Sequence, residues 1–563
     1  MKQKHRSIAV ILFILSFLFS GSYTSGLVGG VDTQQTIRLS VFDFTTENDY
    51  IYIVGSAINY AGSLPPGSLN LSSGMKDIYV LKMQKDGTPV FQALIGGSND
   101  DEAYGVVVRQ GVVYVLGETW SDDFPGAPGN AGESDVIMFA LAADGSQILW
   151  SRRLGGSDQD AGRALKLQND SLYLTGITWS QNLVQGAAKG DADGFLARVD
   201  LSGDLKWLQV FGGRALDAPF DLAVSGQAVW VTGQTFSNNF GTGTKGGGDI
   251  FAARFGLDGN QQFVGLYGGR EEDIGFGITL GNDNSLYLSG ATQSSGLPGA
   301  MGSFSGRIDA LLMRISPTGE LLASTYLGGS EIDYAYAGEM LPNEHILITG
   351  MTGSPQFPLG SDSGANSLGG NDAFLAQLNA DGQVVSVWLI GSSADDRATD
   401  FIVMEDGVWL MGNFPEGRLP YADFVPAEDL TNLVLPPTNP PPLPTATMGF
   451  TATPQPTETP IPTLTASMEP GVEIPSVTAT QSPLLTESVL DETEEMTQDS
   501  NTQQSATELP AGDQKSAATA VPISSPAEEN NGVNTFILVL VGLVIALAVI
   551  GIFFWNKSKR TLH

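Results

Sequence analysis

A unit of about 58 residues recurs along this chain, and a period of that length with four apolar-rich runs per unit leaves few folds open. Asp135 to Ser180 shows the unit whole. DVIMFALA and QILWSRRL flank Asp144-Gly145, a dipeptide that supplies the positive-φ positions of a tight hairpin. Gly155-Gly156-Ser157 and Asp160 follow, then ALKLQ, the polar turn Asn169-Asp170 and SLYLTG. These runs are rich in the β-branched and aromatic types that fit a pleated, half-buried surface.

The opening Asp recurs at Asp77, Asp135, Asp193, Asp249, Asp309 and Asp372, and the hairpin glycine at Gly87, Gly145, Gly203, Gly259, Gly319 and Gly382. An apolar run ending in glycine appears once more than that, at Gly55, Gly117, Gly176, Gly233, Gly290, Gly350 and Gly412. Four short antiparallel strands per unit predict an all-β fold, a β-propeller of four-stranded blades around a central axis. Phased with the strand after the Gly-Gly turn first, the count is six whole blades and a seventh begun by ATDFIVM and GVWLMG. The seventh is expected to draw its remaining strands from residues 421–425 and 432–435, and six blades is the alternative.

Composition removes several function classes. The chain has no cysteine, which excludes disulfides, Cys-based zinc sites and a lipidated-Cys anchor. A formal charge of −34 argues against nucleic acid as a partner, because phosphate binding needs clustered Lys and Arg. Of the three histidines, His5 and His563 lie in the end segments, and His345 falls in a predicted turn, where it reads as a turn residue rather than a catalytic base.

The ends read as a membrane layout. Lys2, Lys4 and Arg6, the apolar run Ile8 to Phe19 and the small residues after it have the form of a secretory signal peptide, assigned to residues 1–25. Residues 29–425 carry the propeller repeats. From 426 to 533 the composition turns to Pro, Thr, Ser and Glu, which cannot bury enough apolar area to offset ordering entropy and predicts a disordered stalk. Thr535 to Trp555 is 21 residues without a charge, long enough as a helix to cross a bilayer's hydrocarbon core of roughly 30 Å. Lys557, Lys559 and Arg560 follow, so the tail 556–563 is expected in the cytoplasm and the propeller outside, as a single-pass protein of a bacterial cell membrane. No LPxTG motif stands before the span.

LGGSxxD, SLYLTGxTxS some 20 residues later and DAFLARLDxxG after it resemble the SBBP family of bacterial β-propeller repeats, and SDDFP (Ser121 to Pro125) and PQFPL (Pro355 to Leu359) match its connecting loop. The resemblance covers Gly29 to Phe414. It implies a seven-bladed propeller of an exported protein and no established chemistry.

The candidate site residues are the recurring carboxylates Asp101, Asp160, Asp217, Asp273, Asp333 and Asp396. Strand direction places them in a ring on the face that also carries the long loops after the TxS segments. The first expectation is that each binds backbone amides of its own turn, as Asp does in turns. The alternative is that, with Asp100, Asp158 or Asp395, they hold Ca²⁺ through oxygen ligands. Recurring tryptophans such as Trp150 and Trp207 are expected to pack between blades. Trp120 and Trp179 lead directly into the long loops.

The reading that uses every feature is surface display of a binding, adhesion or scaffold module, with an extracellular glycan or protein as its ligand. The alternative is a propeller-type hydrolase acting on glycans through a carboxylate pair. Against it, the recurring acids sit at equivalent turn positions, whereas a catalytic pair should be special to one or two blades. A quinone-dependent dehydrogenase fits less, since only some units keep the DGSQILW tryptophan and its usual Cys cannot be present.

Overall fold

The computed structural model describes residues 38 to 433, apart from 59–63, 65–67, 130, 185–188, 244–245, 359–364, 416–421 and 431–432. The signal segment, nearly all of the stalk, the 535–555 span and the tail lie outside the described residues. Among those described, no helix is long and apolar enough to cross a membrane.

Each repeat closes one antiparallel sheet. In blade 3 the strands Asp160–Gln168, Ser171–Thr178, Asp193–Asp200 and Leu205–Phe211 lie side by side in chain order. The strand after the Gly-Gly turn is the innermost. Those of the seven blades are Arg38–Glu47, Asp101–Arg109, Asp160–Gln168, Asp217–Val224, Asp273–Leu280, Asp333–Met340 and Arg397–Met404, each in contact with the next, and the last touches the first. The protein is therefore a seven-bladed propeller, as the phased repeats predict, and the six-bladed alternative is set aside. Buried side chains between neighbouring sheets form the core, as in the layer where Val80, Ile95, Val106, Val115 and Phe139 join blades 1 and 2.

The closing blade is described only in part. Among the described residues it has three strands, Arg397–Met404, Gly407–Asn413 and Ala422–Pro426, and the fourth expected from 432–435 lies outside the described residues except for Leu433. Leu433 packs against the blade 6 and 7 core. Ala427–Asp429 form a 3-10 turn and Leu430 is buried, so the fold continues past 425. No strand is exchanged between the chain ends among the described residues. The seam is closed by side chains instead: Met404, Trp409, Met411 and Ala422 of blade 7 pack on Leu39, Val41, Phe44, Ile51 and Leu81 of blade 1.

One irregularity repeats seven times and explains a sequence signature. Every innermost strand carries a β-bulge at its third, fourth or fifth position, between Val41 and Asp43 in blade 1, Ala103 and Gly105 in blade 2, and so on to Ala398 and Asp400 in blade 7. A bulge adds one unpaired residue, sharpens twist and re-aims a side chain. It also drives the inner strand's carbonyl across its partner. A Cβ at Gly117 would lie 1.9 Å from the Glu102 carbonyl oxygen, and one at Gly233 would lie 2.0 Å from that of Ala218. The glycine in the second half of the second strand of every blade is there because the bulge leaves no room for a side chain.

Outer edges and the gaps between blades are also managed. Leu69–Leu71, Thr242–Gly243 and Ala300–Met301 add short parallel strands outside the fourth strands of blades 1, 4 and 5, covering edges open to pairing with other chains. Trp150 and Trp207 pack between blades, each indole N–H donating at 3.0 Å to a carbonyl of the next blade, Leu201 and Leu257 respectively.

Candidate functional site

Asp160 pairs across its sheet with Thr178, and Thr178 with Asp193, so Gly-Gly turns and TxS loops share one face. The six candidate aspartates form the expected ring there, and all are buried. Each Oδ2 accepts the amide four residues back: Gly97, Gly156, Gly213, Gly269, Gly329 or Ser392, at 2.6–2.9 Å. The TxS serine of the same blade, Ser121, Ser180, Ser237, Ser294 or Ser354, donates to that oxygen at 2.7–3.0 Å. Thr235, Thr292 and Thr352 donate to Oδ1 of Asp217, Asp273 and Asp333.

These bonds explain why three distant motifs recur together. A Cβ on the first glycine of the turn would meet the strand-opening Asp, 2.1 Å from Asp193 Oδ1 in the case of Gly212. One on the second would meet the TxS serine, 2.5 Å from Ser237 Cβ in the case of Gly213. The Gly212-Gly213 pair is a wedge between a side chain of the preceding motif, Asp193, and one of the following motif, Ser237. Burial pushes Asp101, Asp217, Asp273 and Asp333 up to about 6 against these stabilising donors, and raises Asp160 as well. Among the described residues no group of three or more His, Asp or Glu side chains is placed to hold a metal ion. Chelator is expected to leave thermal unfolding of the protein unchanged. A saturable rise in Tm with Ca²⁺ would assign the ring to ion binding instead.

The seven bulges place a second, chemically different ring further down the axis. Their extra residues are Phe42, Tyr104, Arg163, Phe220, Phe276, Tyr336 and Thr399, and all seven line one central cavity of about 210 Å³. Five are aromatic and pack on one another around the ring: Phe42 on Tyr104 at 5.1 Å, Phe220 on Phe276 at 5.7 Å, Phe276 on Tyr336 at 5.3 Å between ring centres. Arg163 and Thr399 interrupt this collar. Arg163 lies 4.6 Å from the Tyr104 ring centre, a cation–π distance, and interacts with Glu118 and Glu102.

One residue further along the strands the cavity becomes acidic, with Asp43, Asp221 and Asp400 facing Lys166. Lys166 Nζ lies 3.8 Å from Asp221 Oδ1. Amides hold the carboxylates in place: Asp43 accepts Val106 N–H of the next blade at 2.7 Å, and Asp221 accepts that of Ile278 at 3.1 Å. Although these groups keep some contact with the channel, protein surrounds them, and burial raises Asp43, Asp400 and Asp221. Asp400 raises Asp43 further, and the two side chains interact by a hydrogen bond, so the pair shares a proton. Lys166 is held charged, first by Asp221. Beyond it, Val107, Leu167, Leu222 and Leu280 line a wider chamber of about 440 Å³ towards the opposite face.

Sequence reasoning missed this cavity, although it left a trace. Tyr104, Phe220, Phe276 and Tyr336 each stand three residues after a ring aspartate. His345 lies on the opposite face in the turn between Met340 and Ile346, its Nδ1 2.7 Å from Gln377 Nε2, away from the cavity. Trp179 is partly buried beside Ala161, Leu216 and Phe220.

No family model matches the chain. It is 26% identical over 373 residues to the regulatory protein FlaEY of Caulobacter vibrioides, a match covering 58% of this chain and 38% of that protein, so the chain spans well under half of its relative's length. Similar solved structures include the WD40 β-propeller domain of Doa1, with TM-score 0.37, 11% identity, 70% of this chain and 94% of that one. Another is a puromycin hydrolase S511A mutant complexed with PGG, with TM-score 0.37, 14% identity, 69% of this chain and 53% of that one. At such scores, blade count and closure rest on the strand pairing described above, which makes the chain a β-propeller repeat protein.

Proposed function

We propose that the chain is a ligand-binding propeller of the SBBP type, displayed outside a bacterial membrane on its Pro/Thr-rich stalk and retained by the 535–555 span. The observation that carries the binding role is the collar over an acidic cavity. A propeller needs only packing from its inner strands, yet seven bulges here turn aromatic and charged side chains into the axis. Display is supported by the signal-like start, the stalk composition and the basic residues after Trp555.

Glycan hydrolysis fits the cavity less well. Its close carboxyl pair, Asp43 and Asp400, is hydrogen-bonded together, nearer than the roughly 5–9.5 Å that glycosidases leave for substrate or water.

The test is a screen of the full-length protein in detergent against glycans, peptides and small organic ions. Saturable binding of one class without turnover is expected, and turnover of a glycan would replace this reading with the enzymatic one. Display has its own test: protease applied to intact cells should remove the propeller and leave a short membrane fragment containing the tail. A propeller protected until lysis would refute the topology.

A further inference from the structure

The groups around the central cavity are unequally free to meet a ligand. The polar atoms of the collar are engaged: the Tyr104 hydroxyl donates to Glu102, Thr399 Oγ1 donates to the Met411 carbonyl at 3.2 Å, and Tyr336 bonds Arg397. Arg163 is balanced by Glu102 and Glu118. The collar is left with aromatic rings and few free donors or acceptors. A sugar, which must exchange many hydroxyl hydrogen bonds with its site, finds little there.

Charge points the same way. Three carboxyl groups, Asp43, Asp221 and Asp400, share the cavity with two cations, Lys166 and Arg163, and Arg163 already faces Glu102 and Glu118, so only Lys166 is left to balance the three. Blade 5 contributes Phe276 and Ile278, with no ionisable group, and blade 6 places Glu339 deeper, so the imbalance is not offset from those strands. An anion would meet net negative charge, and a neutral apolar ligand would leave it buried. Aromatic rings around a site with excess carboxylate are the surroundings that recognise organic cations. The volume, about 210 Å³, falls below the roughly 300–1,000 Å³ of pockets that enclose whole drug-sized ligands, and suits a head group.

We propose that this cavity binds a small organic ammonium ion, quaternary or alkylated, with its head among Phe42, Phe276 and Tyr336 and with Asp43 and Asp400 as its counter-charge. The proposal rests on the reading of the collar as the ligand site. Binding is coupled to a proton: the cation takes the place of the hydrogen held between Asp43 and Asp400, which leaves to solvent, and two carboxylates then face one ammonium. Affinity therefore rises with pH while that proton is being lost. Of the other charged groups facing the cavity, Lys166 and Arg163 stay protonated throughout, Asp221 is raised by burial and held against that by Lys166, and Glu339, deeper in the channel, is raised by burial and by Asp400.

The experiment is calorimetry on the full-length protein with choline, with its uncharged isostere 3,3-dimethylbutan-1-ol, and with a peptide carrying trimethyllysine. Choline is expected to bind at least tenfold more tightly than the isostere, with a heat that changes with the buffer's ionisation enthalpy as a released proton requires. The peptide separates a free cation from a tethered one. Phe276→Leu keeps the packing and removes the ring, and should weaken choline at least tenfold. Asp43→Asn should abolish the buffer dependence. Equal binding of choline and isostere, or choline binding untouched by Phe276→Leu, overturns the proposal. If no ammonium compound binds while another screened ligand is lost on Phe276→Leu, the ammonium class fails and the collar remains the site. If a ligand binds and collar variants leave it unaffected, the reading of the site fails too.

Discussion

Asp217→Ala is expected to cost about 4 kcal/mol of folding stability, more than most single substitutions. The side chain is fully buried and serves as acceptor for Gly213 N–H and the Thr235 and Ser237 hydroxyls. Ser237 in turn accepts the Ala215 amide at 2.9 Å, so the loss spreads through the turn. Each orphaned buried donor costs about 1–3 kcal/mol, partly recovered if water enters. Asp217→Asn keeps an acceptor and the shape, and should cost less than half as much. Asp158, on the same face but exposed, should tolerate alanine. Urea unfolding with unchanged m-values measures all three. A loss below about 1 kcal/mol for Asp217→Ala would show that the ring does not hold the turns as described.

The second large effect is a stability that rises on acidification. Asp101, Asp217, Asp273 and Asp333 have folded-state values near 6 against 3.8 for the free side chain, with desolvation as the leading cause. A raised folded pKa means that the native state holds more protons than the unfolded chain between about pH 4 and pH 6. Stability therefore falls as pH rises through that window and settles at a lower plateau above it. From pH 7 to pH 5 each site contributes on the order of 1 kcal/mol, and the four together raise Tm by about 6 °C in a domain of this size. Burial raises Glu118 and Glu339 to about 7, and these add in the same direction. Relief of repulsion in a chain of net charge −34 adds too. Differential scanning calorimetry between pH 4.5 and pH 8 measures this, and a Tm that falls steadily on acidification would contradict the desolvated state of the ring.

What the sequence made legible was whatever repeats. Strand order, blade number, the ring of aspartates and the face it occupies all follow from turns and apolar runs in fixed register, because each motif must satisfy the same local geometry in every blade. The existence of a seventh blade was legible for the same reason, through ATDFIVM, GVWLMG and Gly412. The cavity was not, because it is defined by what differs among blades. At the bulge position the chain carries Phe42, Tyr104, Arg163, Phe220, Phe276, Tyr336 and Thr399, and at the next position only Asp43, Asp221 and Asp400 are acidic. No spacing rule brings Asp43 and Asp400 together. They meet because the ring closes between the first blade and the last. The seven recurring second-strand glycines were visible as a signature, yet their cause, a bulge carrying a carbonyl to about 2 Å from a would-be Cβ, needed the register of the sheet.

The most direct test of this account is the structure of the full-length protein determined with a ligand that its screen identifies. The account predicts the ligand inside the central channel, in contact with Phe276 and Tyr336 and facing Asp43 and Asp400. A ligand seated on the outer rim of a blade or on the opposite face, with the channel unchanged, would contradict it.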